Sequence, residues 1–204
     1  MVNLHGGVRY LIELILVHCL MSSSPAILAA DPRLTSVGEE QGRSVHAAWE
    51  RELLNGAPVP QKFYCSPFTR AIRTLELTFE NILPMHLKPL ILEVTLLCVP
   101  SRMLANAFPT QNCREMNGAH SCDKRRTRSE VQAEFPNVVF EDGFEEDDIL
   151  WTPERESYES VERRAKLVLD RIFQNDHDDT CAVACFSKVT KTSAVFYRYI
   201  SHSA

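Results

Sequence analysis

The chain has 204 residues, enough for one core and one α/β-sized domain, and its 45% hydrophobic and 24% charged residues speak against a fibrous or disordered protein. With 22 Lys and Arg against 27 Asp and Glu the net charge is −5, which argues against a general nucleic-acid binder, since that role needs a positive field to displace counterions. The 7 cysteines are odd in number and scattered, so reduced thiols are expected rather than a disulfide framework. Cys181 and Cys185 near His177 lack the C-x2-C spacing of a zinc site, and no metal is expected.

In chain order, residues 1–30 read as an atypical N-terminal segment and 31–204 as one domain. Tyr10 to Met21 is apolar apart from Glu13 and His18, and too short to cross a bilayer. Arg9 before it and Ser24 and Ala26 after it outline a weak signal peptide, which Glu13 argues against. A cytoplasmic location without a membrane partner is therefore expected, with secretion as the alternative. Asp31 to Gly56 predicts an amphipathic helix, with Ser36 and Glu39 as a capping box, Val37, Val45, Ala48, Trp49 and Leu53 on its apolar face, and Asn55-Gly56 as its end. Lys62 to Cys65 is a short strand. Ser66-Pro67 then offers an N-cap and a first-turn proline for a helix with Ala71, Ile72, Leu75, Phe79 and Ile82 on one face.

Within Leu87 to Glu93 the run Pro-Leu-Ile-Leu predicts a strand buried on both faces. Residues Arg126 to Phe135 predict a short helix. The basic run Lys124, Arg125, Arg126 and Arg128 and the acidic run Glu141, Asp142, Glu145, Glu146, Asp147 and Asp148 both read as solvated surface. Tyr158 to Gln174 is a helix through Val161, Ala165, Val168, Leu169 and Ile172, and Thr180 to Phe186 a buried strand. Alternation of this kind predicts an α/β fold, a mostly parallel sheet with helices on its faces.

The chemistry concentrates first in Ser66-Pro67-Phe68-Thr69-Arg70-Ala71, where a strand end, a helix N-terminus and an arginine meet within one turn. Unpaired amides, the positive dipole end and a planar guanidinium make an anion site. Further along lie Cys113-Arg114-Glu115, Cys122-Asp123-Lys124-Arg125-Arg126 and Asp148-Ile149-Leu150-Trp151, and before them Leu34-Thr35-Ser36-Val37-Gly38-Glu39-Glu40-Gln41. With Ser-Pro-x-x-Arg-Ala these five landmarks, in this order, resemble the phosphoglycerate-mutase-like proteins of the histidine phosphatase superfamily, from Asp31 to about Thr180.

The resemblance implies a three-layer α/β/α sandwich, lacking some elements at both ends, and phosphoryl transfer from a small phosphate monoester through a phosphohistidine, without metal or cofactor. It makes Arg70 a phosphate-binding arginine and Glu115 the proton donor to the leaving oxygen. The family's Arg-His-Gly nucleophile motif does not precede Asp31; Leu4-His5-Gly6-Gly7 keeps only His-Gly, and no convincing strand leads into it. For the second histidine, Tyr199-Ile200-Ser201-His202-Ser203-Ala204 carries the family's letters and favours His202, while the better strand, Thr180 to Ser187, leads into Lys188.

Val94 to Gln111 separates Ile91-Leu92-Glu93 from Asn112-Cys113-Arg114-Glu115, which the family joins directly. Valine codons begin with GT and a glutamine codon can end in AG, so translated intron is one origin for an insert at about 94–111. A catalytically inactive relative, or an aberrant product retaining only a phosphate pocket, is the alternative to an active enzyme.

Overall fold

A computed structural model describes residues 2–3, 8–11, 30–57, 62–82, 90–91, 114, 116–140, 144–164, 180–187 and 192–200. The chain opens with two strands, β1 (Val2–Asn3) and β2 (Val8–Leu11). The first of them lies ahead of His5, where the sequence offers no clear strand signal.

Helix α1 (Ser36–Leu54) is capped by Thr35, whose hydroxyl accepts from the Gly38 amide at 3.1 Å. The expected Ser36/Glu39 box therefore gives way to a cap one residue earlier, and Glu39 accepts from Arg43 and Arg73 instead. Val37 is also corrected: it is 48% exposed, and the buried stripe is Gly38, Gly42, Val45 and Trp49. A Cβ at Gly42 would lie 3.1 Å from Leu77, so the bare backbone is what lets α1 approach the next helix. Gly56, at φ 89°, follows the C-cap Asn55 and closes α1 as the sequence predicts.

Strand β3 (Lys62–Cys65), helix α2 (Thr69–Thr78) and strand β4 (Leu90–Ile91) form a βαβ unit, with Tyr64 opposite Leu90 and Cys65 opposite Ile91 in parallel register. Burial of α2 extends well beyond one face: Thr69, Arg70, Thr74, Leu77 and Thr78 are buried with Ala71, Ile72 and Leu75, leaving only Arg73 and Glu76 partly open. Apolar periodicity misses this because the second face is polar; Thr74, for one, satisfies its hydroxyl on the Arg70 carbonyl at 2.9 Å.

After a 3₁₀ turn at Ser121–Asp123 come α3 (Arg128–Glu134), β5 (Val139–Phe140), β6 (Thr180–Ser187) and β7 (Thr192–Ile200). Residues 158–164 are helical, inside the helix expected from Tyr158. The strands form one sheet in the order β1-β2-β7-β6-β3-β4-β5. Pairing is parallel across β6-β3-β4-β5 and antiparallel across β6-β7-β2-β1. Four residues separate β6 from β7, which suits a hairpin and is far too short for a parallel crossover.

Trp49 of α1 and Phe63 of β3 both pack on Phe79, ring centroids 5.3 and 4.9 Å apart, and join Ile72, Leu75, Val131, Phe135 and Phe140 in one core. The chain thus has an α/β fold. β3 lies inside the sheet between β6 and β4, so the turn from its carboxyl end into α2 sits where such sheets place ligands. Among the described residues no helix is long and apolar enough to cross a membrane.

Candidate functional site

The turn from β3 into α2 is built differently from the sequence expectation. Ser66 and Pro67 lie before the helix, the N-cap is Phe68, and Phe68 offers no side-chain cap. The capping acceptor comes from far away in sequence. Both carboxylate oxygens of Asp31 accept from the Thr69 amide, at 3.0 and 3.1 Å, and Oδ2 also accepts from the Thr69 hydroxyl at 2.5 Å. Asp31 is held in a left-handed conformation, φ 46°, which brings its short side chain to the helix end. Sequence reading missed it; an acidic residue just ahead of α1 was the only available signal.

Arg70 is buried, its side chain 3% exposed. Its guanidinium lies 4.3 Å from the Phe68 ring centre, donates to the Cys122 carbonyl at 3.2 Å and stands 3.6 Å from Asp31. Arg126 approaches the other oxygen of the same carboxylate, its Nε 3.8 Å from Oδ2, and donates to the Thr69 hydroxyl at 2.8 Å and to Glu134 at 2.7 Å. Burial pushes the Asp31 carboxyl above the ordinary aspartate value, against the pull of Arg70, Thr69 and Arg126.

Behind this turn lies a second network. Arg114 meets Asp148 in a bidentate pair at 2.7 and 2.6 Å, both side chains fully buried, and its guanidinium stands 5.2 Å from the same Phe68 ring. Burial pushes the Asp148 carboxyl up, but the hydrogen bonds and charge of Arg114, with the Arg125 amide, outweigh it and hold the group below its usual range. The Arg114 carbonyl accepts from Arg164 at 2.5 Å, and Arg164 is itself paired with Glu156. Glu156 in turn accepts from the Asn117 amide at 3.0 Å.

Of the basic and acidic runs, read as solvated, Lys124, Arg128, Glu145, Glu146 and Asp147 are exposed as expected, whereas Arg125 and Asp148 are buried. Arg125 is buried and donates to the carbonyls of Arg126, Glu145, Glu146 and Asp147, and its guanidinium packs 4.5 Å from the Phe144 ring centre. Arg155 pairs with the buried carboxylate of Asp123, and Trp151 donates to the His120 carbonyl at 3.1 Å. Arg114, Asp123, Arg125 and Asp148, which lie in three of the family landmarks, thus hold the loops to the turn, a role that sequence spacing could not reveal.

Of the predicted site residues, Arg70 is placed as described; Glu115 and His202, with His5 and the segment 94–111, lie outside the described residues. Arg114 and Met116 on either side of Glu115 are both buried. Cys65 and Cys122, next to the site, are buried and form no disulfide.

No family model matches the chain. It is 32% identical over 148 residues to a "Probable phosphoglycerate mutase" of Arthroderma benhamiae, covering 72% of this chain and 40% of that protein. It is 30% identical over 159 residues to "Phosphomutase-like protein 3" of Candida albicans, covering 78% of this chain and 44% of that protein. A "Phosphoglycerate mutase-like protein" of Arabidopsis thaliana is 45% identical over 53 residues, 26% of this chain and 20% of that one. The chain thus spans less than half the length of the first two curated relatives. By its five sequence landmarks in the family's order and its similarity to these relatives, the chain belongs to the phosphoglycerate-mutase-like group of the histidine phosphatase superfamily.

Proposed function

We propose that this chain is a phosphoryl-transfer enzyme, a phosphatase or phosphomutase acting on a small phosphate monoester through a phosphohistidine. The observation that carries this reading is the buried Arg70 guanidinium at the start of α2, beside the carboxyl end of an interior strand, in a chain whose relatives are named mutases. In this reading Arg70 neutralises the phosphoryl oxygens and His202 helps hold the group. A histidine nitrogen attacks phosphorus, the P–O bond to the leaving group breaks, and Glu115 gives that oxygen its proton. Water then cleaves the P–N bond in a phosphatase; in a mutase a second substrate oxygen does so. In this reading residues 31–204 are the histidine-phosphatase-like domain, a three-layer sandwich lacking some elements at both ends, with an insert at about 94–111, acting in the cytoplasm without nucleic-acid or membrane partners.

The test is hydrolysis of a generic aryl phosphate by the purified chain. The expected loss is about 100- to 1,000-fold for Arg70→Ala, as for removal of a charge-stabilising donor. It is about 100- to 10,000-fold for Glu115→Ala, as for removal of a general acid. Equal rates in all three proteins would remove both roles. The presence of Asp31 beside Arg70 favours one other reading, a non-catalytic relative that keeps only an anion pocket, and the same assay separates the two.

A further inference from the structure

The place where the sequence predicts an external anion already holds one. The first amide of α2, the Thr69 hydroxyl, Arg70 and Arg126 all converge on a single carboxylate with no exposed surface, that of Asp31. Two guanidiniums within 4 Å of that carboxylate spend part of their field on it, and a phosphate oxygen approaching either must share what is left. The surroundings keep unused donor capacity: the Ser66 hydroxyl, fully buried three residues before Thr69, and the buried Nε of Arg126 have no hydrogen-bond partner among the described residues. Arg126 also reaches outward, its side chain 22% exposed against 3% for Arg70.

We propose that Asp31 is a built-in competitor for the phosphate-type anion site, setting the net charge that Arg70 and Arg126 present to a ligand. This rests on the reading that Arg70 is the phosphate-binding arginine. Asp31, fully buried, is not proposed to touch substrate. It acts through the two arginines, much as a tethered anion with a very high local concentration lowers the apparent affinity of a free one. Glu134 adds a second, more exposed carboxylate on Arg126, which it shares with Arg33, so a ligand anion that engages Arg126 must compete with Glu134 as well as with Asp31.

The decisive experiment is calorimetric titration of the chain with inorganic phosphate at one fixed pH, comparing wild type, Asp31→Asn, Arg70→Ala and the double variant Asp31→Asn/Arg70→Ala. Asp31→Asn keeps the shape and one of the two acceptor oxygens, turns the other into an NH2 group, and removes the charge. It is expected to tighten phosphate binding about tenfold, the effect of one unit charge removed a few ångströms from a bound anion. Arg70→Ala in either background is expected to abolish the binding.

Unchanged or weaker binding by folded Asp31→Asn overturns the competitor role, and if wild type still binds, the phosphate pocket survives that result. Binding by Asp31→Asn but not by wild type supports the competitor role while removing the pocket from the native chain. Asp31→Ser, a neutral residue that also serves as an N-terminal cap, guards against a folding artefact. If neither neutral variant folds, Asp31 is an indispensable structural counter-charge and the proposal falls.

Discussion

Gly118 illustrates how much a single residue carries where loops are knitted together. It sits at φ 81°, a region favouring glycine, and a Cβ there would overlap the Glu154 carbonyl oxygen, while its own carbonyl accepts from Arg155 at 2.6 Å. Gly118→Ala is therefore expected to destabilise the chain by about 3 kcal/mol or more, combining backbone strain with overlap against a carbonyl, measurable as a shift in the urea midpoint. A shift under a few tenths would mean that the 117–118 and 152–156 segments separate freely. Sequence reading singled out Arg70 but could not supply Asp31, because the carboxylate reaches Thr69 across 38 residues.

Elements show a related asymmetry in their caps. Thr35 rather than Ser36 caps α1, since a helix containing Ser-x-x-Glu in its first turn looks from sequence like one that begins there. The true capping box lies at Thr127 and Glu130, where the Thr127 hydroxyl accepts from the Glu130 amide and the Glu130 carboxylate accepts from the Thr127 amide at 2.9 Å. Its Thr-x-x-Glu pattern is legible in the sequence, set within the basic run. Replacing Thr127 by Ala should lower stability by about 1 kcal/mol, seen as a modest fall in Tm, with a larger effect only if α3 also anchors Arg126 through Glu134. Helix α2 shows the limit of periodicity: its apolar face was readable, its buried polar face was not.

For the whole molecule, the buried arginine and carboxylate network sets the response to acid. Asp148 and Glu156 are depressed: burial raises each, but Arg114 for the first and Arg164 for the second outweigh it. Depressed groups contribute stability that is present above their unfolded values and lost as pH falls through their folded ones, since the unfolded chain then binds more protons. Asp31 is raised by burial and acts in the opposite sense, so its contribution is present at low pH and lost as pH rises through its folded value. Melting temperature is expected to fall as pH drops below the ordinary carboxylate range, about 4, with Asp148→Asn flattening that slope. An unchanged slope in the variant would show that the Arg114 pair does not govern acid unfolding. Removing one partner of this fully buried pair should also cost about 3 to 5 kcal/mol at neutral pH, because it strands the other charge.

Local chemistry in the chain by itself determined the α/β alternation, β3, most of α1 and α2, β6, the family landmarks and Arg70, since each is written in neighbouring residues. Only tertiary structure decided that β7 and β2 extend the sheet antiparallel, that Arg125 is buried against the main-chain carbonyls of the acidic run, and that Arg70 and Arg126 both stand within 4 Å of Asp31. Those outcomes depend on pairings between distant segments, where desolvation makes a charge seek whichever partner folding brings near, and no periodicity records that choice.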